Sequence, residues 1–183
     1  MLQQILSLIL VTVAGLFGNV LLLRMYLAWL RVSRTNPLAI FCLALTDWLV
    51  GPLRRILPMR GRFDVPTLVA SLIVACIYVF LMGLIALGGF WSWSLFLPGV
   101  LLVLLRWALY LLILLIVGNA ILSFVNPHAP LAPTFDVLTR PFLAPLRRVI
   151  PPLGGFDLSP MVAILLLYIL MIVLNQFGMS FGL

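Results

Sequence analysis

The sequence predicts an all-α membrane protein, with four transmembrane helices arranged as two parallel helix–amphipathic loop–helix repeats. Three observations carry this prediction. Of the 183 residues, 65% are hydrophobic and only 8% charged, against about 25% charged in an ordinary soluble domain. The apolar residues gather into four runs, each long enough to cross roughly 30 Å of hydrocarbon as a helix. Helix is the default there, because hydrocarbon offers no water to unpaired backbone groups. Between the runs, one basic phrase occurs twice: "TDWLVGPLRRILPMRGRFDVP" from Thr46 to Pro66 and "TRPFLAPLRRVIPPLGGFDLSP" from Thr139 to Pro160.

The first run is Ile5 to Leu30, interrupted by Asn19 and Arg24. The start, "MLQQILSLIL", has no basic n-region, and the apolar run behind it is too long for a signal peptide, so it reads as a retained first helix. The second run, Val65 to Leu87, carries no charge. The third extends from Leu97 to Val125 and contains Arg106 and Asn119; the fourth extends from Leu158 to Phe177 and closes on Asn175-Gln176. "GGFWSWS", Gly88 to Ser94, joins the second run to the third. Gly88-Gly89 makes the turn, and Phe90, Trp91, Trp93 and Phe96 form an aromatic anchor at the interface. The expected repeats are residues 1–88 and 95–183.

All 11 basic residues are Arg, and all 4 acidic residues are Asp. Arg31, Arg34, Arg54, Arg55, Arg60 and Arg62 lie between the first two runs; Arg140, Arg147 and Arg148 lie between the last two. The "GGFWSWS" connection and the termini carry none. The positive-inside rule then places both Arg loops in the cytoplasm and both termini outside a bacterial inner membrane. "RMYLAW" (Arg24 to Trp29) aligns with "NAILSF" (Asn119 to Phe124), and each loop opens on Asn-Pro, at Asn36-Pro37 and Asn126-Pro127.

Within the phrase, Pro52 and Pro145 suit the first turn of a short helix, and Pro58 and Pro151 its end. Leu45, Leu49 and Leu53 recur at helical spacing, as do Leu138, Phe142 and Leu146. The expectation is a short amphipathic helix on the cytoplasmic interface in each loop. Segment 38–50 is apolar enough to dip into the bilayer instead. Arg54-Arg55 and Arg147-Arg148 would lie at the depth of lipid phosphates. Gly61 and Gly154 permit the turn back toward the membrane. Asp64 and Asp157 sit where they can cap the next helix and pair with the nearby Arg residues. The plain reading of these residues is anchor and cap; the functional reading is a platform for lipid or protein partners.

Inside the runs, Arg24 is close enough to the end to snorkel outward. Arg106 is deeper, with Asn175, Gln176 or Asn19 as its expected partners, either as glue between helices or lining a polar cavity. Nucleic-acid binding lacks both a solvated basic surface and a motif. Cys42 and Cys76 form no metal or redox spacing. His128 is the single His, Glu is absent, and no P-loop, HExxH or G-x-S-x-G motif occurs. No catalytic, cofactor-binding or metal-ligating residue is therefore assigned.

The doubled pattern P-L-R-R-x-x-P-x-x-G-x-F-D resembles the YggT family, also called YlmG, over nearly the whole chain. The matching positions are Pro52, Arg54, Arg55, Pro58, Gly61 and Asp64 in one copy. In the other they are Pro145, Arg147, Arg148, Pro151, Gly154, Gly155 and Asp157. The copies depart from each other at Arg62, which stands where the second has Gly155, and at Asp47, which faces Arg140. The resemblance implies a small bacterial integral membrane protein linked to osmotic stress tolerance and, by gene neighbourhood, to cell division. Plastid relatives support haem attachment to cytochrome b6 and nucleoid distribution. The expectation is a non-enzymatic scaffold, assembly or envelope-homeostasis factor. It would act through its two Arg-Pro loops on the bilayer, anionic headgroups and protein partners, further copies of itself included. The alternative is a small oligomeric channel or transporter active in osmotic stress.

Overall fold

The structure, a computed structural model, describes residues 1–57, 64–87, 93–126, 128–149 and 157–180. Six α-helices lie within these residues: α1 (Leu2–Trp29), α2 (Pro37–Ile56), α3 (Val65–Leu87), α4 (Trp93–Val125), α5 (Ala132–Val149) and α6 (Ser159–Ser180). Pro58, Gly61, Pro151, Gly154 and Gly155 fall outside the described residues. So do Arg60, Arg62, Pro127 and the Gly88-Gly89 turn with Phe90 and Trp91.

Four spans arranged as two helix–amphipathic loop–helix repeats is not what the chain builds. Five helices, α1, α2, α3, α4 and α6, are long and apolar enough to cross a membrane. The correction comes from α2. Its 20 residues rise about 30 Å, the thickness of the hydrocarbon. The charge of Asp47, in mid-helix, meets Arg24 of α1. Pro52, expected in the first turn of a short helix, lies inside α2 instead, as Pro141 and Pro145 lie inside α5. A proline removes the bond to the carbonyl four residues back, yet here the helix continues past it to Ile56. The first-turn proline is Pro37, preceded by the N-cap Asn36, whose Oδ1 accepts the Leu38 N–H at 3.0 Å.

The chain forms two compact units, Met1–Ala108 with Leu174–Leu183, and Leu109–Val173. In the first, Leu21 of α1, Val50 of α2 and Ala70 of α3 form a buried cluster, with Phe17, Leu49, Leu53 and Val74 packed against it. In the second, Ile116 of α4, Leu143 of α5 and Ala163 of α6 do the same, with Leu112, Leu146, Ile164 and Leu167 around them. Each cluster draws one residue from each of three helices. Apolar burial drives helices together weakly inside lipid, so close packing at small residues carries more of the association. Gly18 receives the Trp107 ring so closely that a Cβ there would overlap it. In the other unit, a Cβ at Gly118 would come 2.6 Å from Phe135 Cε1.

Candidate functional site

Arg24, Arg31, Arg34, Arg54 and Asp64 of the first unit converge where α1 ends. Arg31 lies just past the helix with φ 56°. Its N–H donates to Ala28 O at 3.1 Å, and the Val32 N–H donates to Leu27 O at 3.0 Å. This is a Schellman turn, in which the left-handed position usually belongs to glycine. The turn folds the chain back over the last turns of α1, where Arg24 is only 4% exposed. Arg24 does not snorkel outward. It turns to α2, where its Nη1 donates to Thr46 Oγ1 at 2.6 Å and its Nη2 lies 2.8 Å from Asp47 Oδ1. Arg24 Nε has no hydrogen-bond partner among the described residues.

At the far end of α2, Arg54 Nη2 donates to Asp64 Oδ2 at 2.9 Å. The Asp64 side chain is wholly buried, and its Oδ1 accepts the Thr67 N–H at 3.4 Å. One carboxylate thus caps α3 and holds the end of α2. Arg24, Arg31, Arg34, Arg54 and Asp64 line a single cavity of about 220 Å³, with Cys42 and Ala39 of α2 in its wall.

The second unit repeats the clamp at the same spacing. Arg147 Nε donates to Asp157 Oδ2 at 2.7 Å, and Asp157 Oδ1 accepts the Ser159 N–H at 2.9 Å. Asp136 lies at 3.9 Å from Arg147 Nη1. Burial by itself would raise the Asp157 carboxyl, but the bonds from Ser159 and the Arg147 charge outweigh it and hold it below its ordinary range. The cavity here is larger, about 450 Å³, and its lining pairs Arg147 and Asp157 with Asn119, Ser123, Phe124 and Met161.

Arg55 and Arg148 are exposed, as are Pro52 and Pro145. The structure therefore brings Arg54 to Asp64 and Arg147 to Asp157 and turns the neighbouring arginines outward. Inside the helices, Asn19 Nδ2 donates to Gly15 O of its own helix at 2.8 Å, while its Oδ1 is unpartnered. Arg106 is half-buried, with Nε unbonded and no acidic partner among the described residues. Asn175 is half-buried near the end of α6. Sequence reasoning missed the link from Arg24 to Thr46 and Asp47 and the joining of Arg31 and Arg34 to the Arg54 clamp. The available signal was a single Arg in an otherwise uncharged stretch, matched by a single Asp in the next. Among the described residues, no group of His, Cys, Asp or Glu is placed to hold a metal.

The sequence pattern of the CCB3/YggT family matches twice, at residues 3–85 and 98–178. The chain is 35% identical over 170 residues to the uncharacterized protein YggT of Escherichia coli (strain K12), covering 90% of this chain and 86% of that protein. It is 37% identical over 160 residues to an uncharacterized protein from the proC 3' region of Vibrio alginolyticus, covering 85% of each. A Haemophilus influenzae protein is 33% identical over 159 residues, covering 87% of this chain and 85% of that one. No solved structure matches. With both matches spanning the clamped helices, the chain belongs to the CCB3/YggT family and is an all-helical, multi-pass membrane protein.

Proposed function

We propose that the chain is a non-enzymatic scaffold or assembly factor of the bacterial inner membrane, serving envelope homeostasis under osmotic stress. One observation carries the reading. In each half an Arg binds an Asp ten residues on, and the next Arg in sequence is left exposed. The clamp fixes the backbone, and Arg55 and Arg148 are presented on a fixed elbow. Pro52, Arg54, Asp64, Pro145, Arg147 and Asp157 are the positioning residues of this surface. Its partners are anionic headgroups, each Arg contributing about 1 kcal/mol at an anionic surface, and membrane or cytoplasmic proteins, including further copies of the chain. The two halves, 1–88 and 95–183, act as tandem copies of one unit. The Arg-bearing segments face the cytoplasm, as the positive-inside rule favours.

Arg55→Glu with Arg148→Glu tests this. The clamps stay intact, so membrane levels should match the parent chain, while capture of partners and survival of osmotic shock should fall. Wild-type behaviour in both assays sinks the platform. Orientation is read separately by labelling single cysteines at positions 34 and 55 in intact cells. Label from outside at either position overturns the cytoplasmic assignment.

A transport reading draws on a different observation, the half-buried Arg106 without an acidic partner in the described residues. Arg106→Leu removes a charge that costs about 2.5–3.5 kcal/mol on insertion scales. A normally inserted variant that fails to protect against osmotic shock would put transport first.

A further inference from the structure

We propose that the cavity at the end of α1 is a binding site for a phosphate-bearing anion. This goes beyond the scaffold reading and stands on residues other than its exposed arginines.

Four arginines line this cavity: Arg24, Arg31, Arg34 and Arg54. Two carboxylates answer them: Asp64 binds Arg54, and Asp47 binds Arg24. Arg31 and Arg34, both exposed, have no acidic partner among the described residues, which leaves an excess of two positive charges around one partly open pocket. That excess suits the charge of a phosphate group near neutral pH. The volume of about 220 Å³ equals about seven waters at their liquid share. It takes a phosphate and part of what the phosphate is attached to.

The geometry is that of a built site. Arg24 is 4% exposed, and two of its nitrogens are held on α2, which leaves the direction of the guanidinium little freedom. Its Nε–H is unpartnered, and a buried donor without an acceptor is costly to maintain. Arg54 Nε is also buried and unpartnered, while the other side of that guanidinium is engaged by Asp64. Two guanidiniums with an unpartnered Nε–H each can donate one charge-assisted hydrogen bond apiece to anion oxygens. Arg31 adds a second sign. It occupies the left-handed position of the helix-end turn, where glycine would relax the backbone. Strain of this kind persists at ligand clamps. The strained position puts a third arginine in the cavity wall.

The second half supplies an internal control. At the position aligned with Arg24 stands Asn119, and the matching cavity is lined by one Arg and one Asp. The charge excess is absent there, although the clamp is the same. The anion site therefore belongs to the first half and is not a by-product of the repeated phrase.

The shared chemistry has two sources, a free phosphate or the headgroup of an anionic phospholipid. The full chain, purified in detergent, is titrated with inorganic phosphate against chloride at constant ionic strength. In parallel it is placed in nanodiscs of phosphatidylcholine with or without phosphatidylglycerol, and lipid retained through purification is quantified by mass spectrometry. Saturable binding of phosphate identifies a free anion; selective retention of phosphatidylglycerol identifies a headgroup. Arg31→Gly with Arg34→Gln should lower either binding at least tenfold while keeping the fold, because both residues are exposed. Arg140→Gln, which removes an equal charge elsewhere, should leave it unchanged. Arg24→Leu should abolish binding, and circular dichroism checks its folding. The proposal fails if wild type prefers neither phosphate nor phosphatidylglycerol. It fails equally if the Arg31/Arg34 variant binds like wild type, or if Arg140→Gln weakens binding as much.

Discussion

The two halves close the approach to their last helix with the same ion pair, but in different surroundings. The Asp64 side chain is fully buried and Arg54 is 27% exposed; Asp157 is 38% exposed and Arg147 is 42% exposed. One phrase in the sequence thus makes a buried clamp and a wet one. The helices carrying the clamps differ as well. α2 is apolar enough to cross a membrane, whereas α5 is not and carries Asp136, Arg140, Arg147 and Arg148. The first half gathers surplus arginines around its clamp and the second does not. Repetition supplies the shared scaffold, and departures from repetition mark where one half was adapted.

The sharpest way to break this comparison is to remove each aspartate. Asp64→Asn strips the partner from a part-buried guanidinium and should cost about 3 kcal/mol. Asp157→Asn should cost about 0–1 kcal/mol, as for exposed pairs. Denaturation of the detergent-solubilised variants measures both, and equal losses would show that burial does not separate the halves.

The glycine contacts come next. Gly18→Ala drives a methyl into Trp107, which is 5% exposed and packs on Tyr78 with ring centroids 5.8 Å apart. With little room to move, it should cost about 1–3 kcal/mol, the usual range for overpacking. Phe135 is only half-buried, so its ring can yield and Gly118→Ala should cost less. The order of the two melting temperatures is the readout.

A smaller effect has the opposite sign. Arg31→Gly relieves a left-handed residue and should stabilise the first half by about 1 kcal/mol. A chain made more stable and less able to hold an anion would tie that strain to the cavity. A loss of stability would mean Arg31 packs in a way its backbone does not reveal.

The least effect concerns pH. The folded Asp157 carboxyl titrates below its unfolded value. Its contribution is therefore complete above about pH 4, the ordinary aspartate value, and fades as pH falls through the lower folded value. The stability difference between wild type and Asp157→Asn should shrink on acidification from pH 5 to pH 3. A difference that is flat over this range removes the Asp157 clamp from the account.

Much of the molecule follows from chemistry local to the chain. Hydrophobic runs without water must be helical. An Asp just before a helix caps it, and an Arg ten residues earlier is close enough to reach it. These relations involve near neighbours, so both clamps and the α3 boundaries could be read directly. The rest depended on partners distant in the chain. The counter-charge of Asp47, Arg24, is on another helix, so their pairing does not show in the local sequence. Pro52 looked like a helix start, since a lost hydrogen bond is tolerable only when neighbouring packing, here Val50 against Leu21 and Ala70, holds the helix through it. Gly18 looked ordinary until Trp107 was laid against it. The basic cavity was invisible for the same reason. Its arginines come from three stretches of sequence, and only packing of α1, α2 and α3 sets their charges around one space.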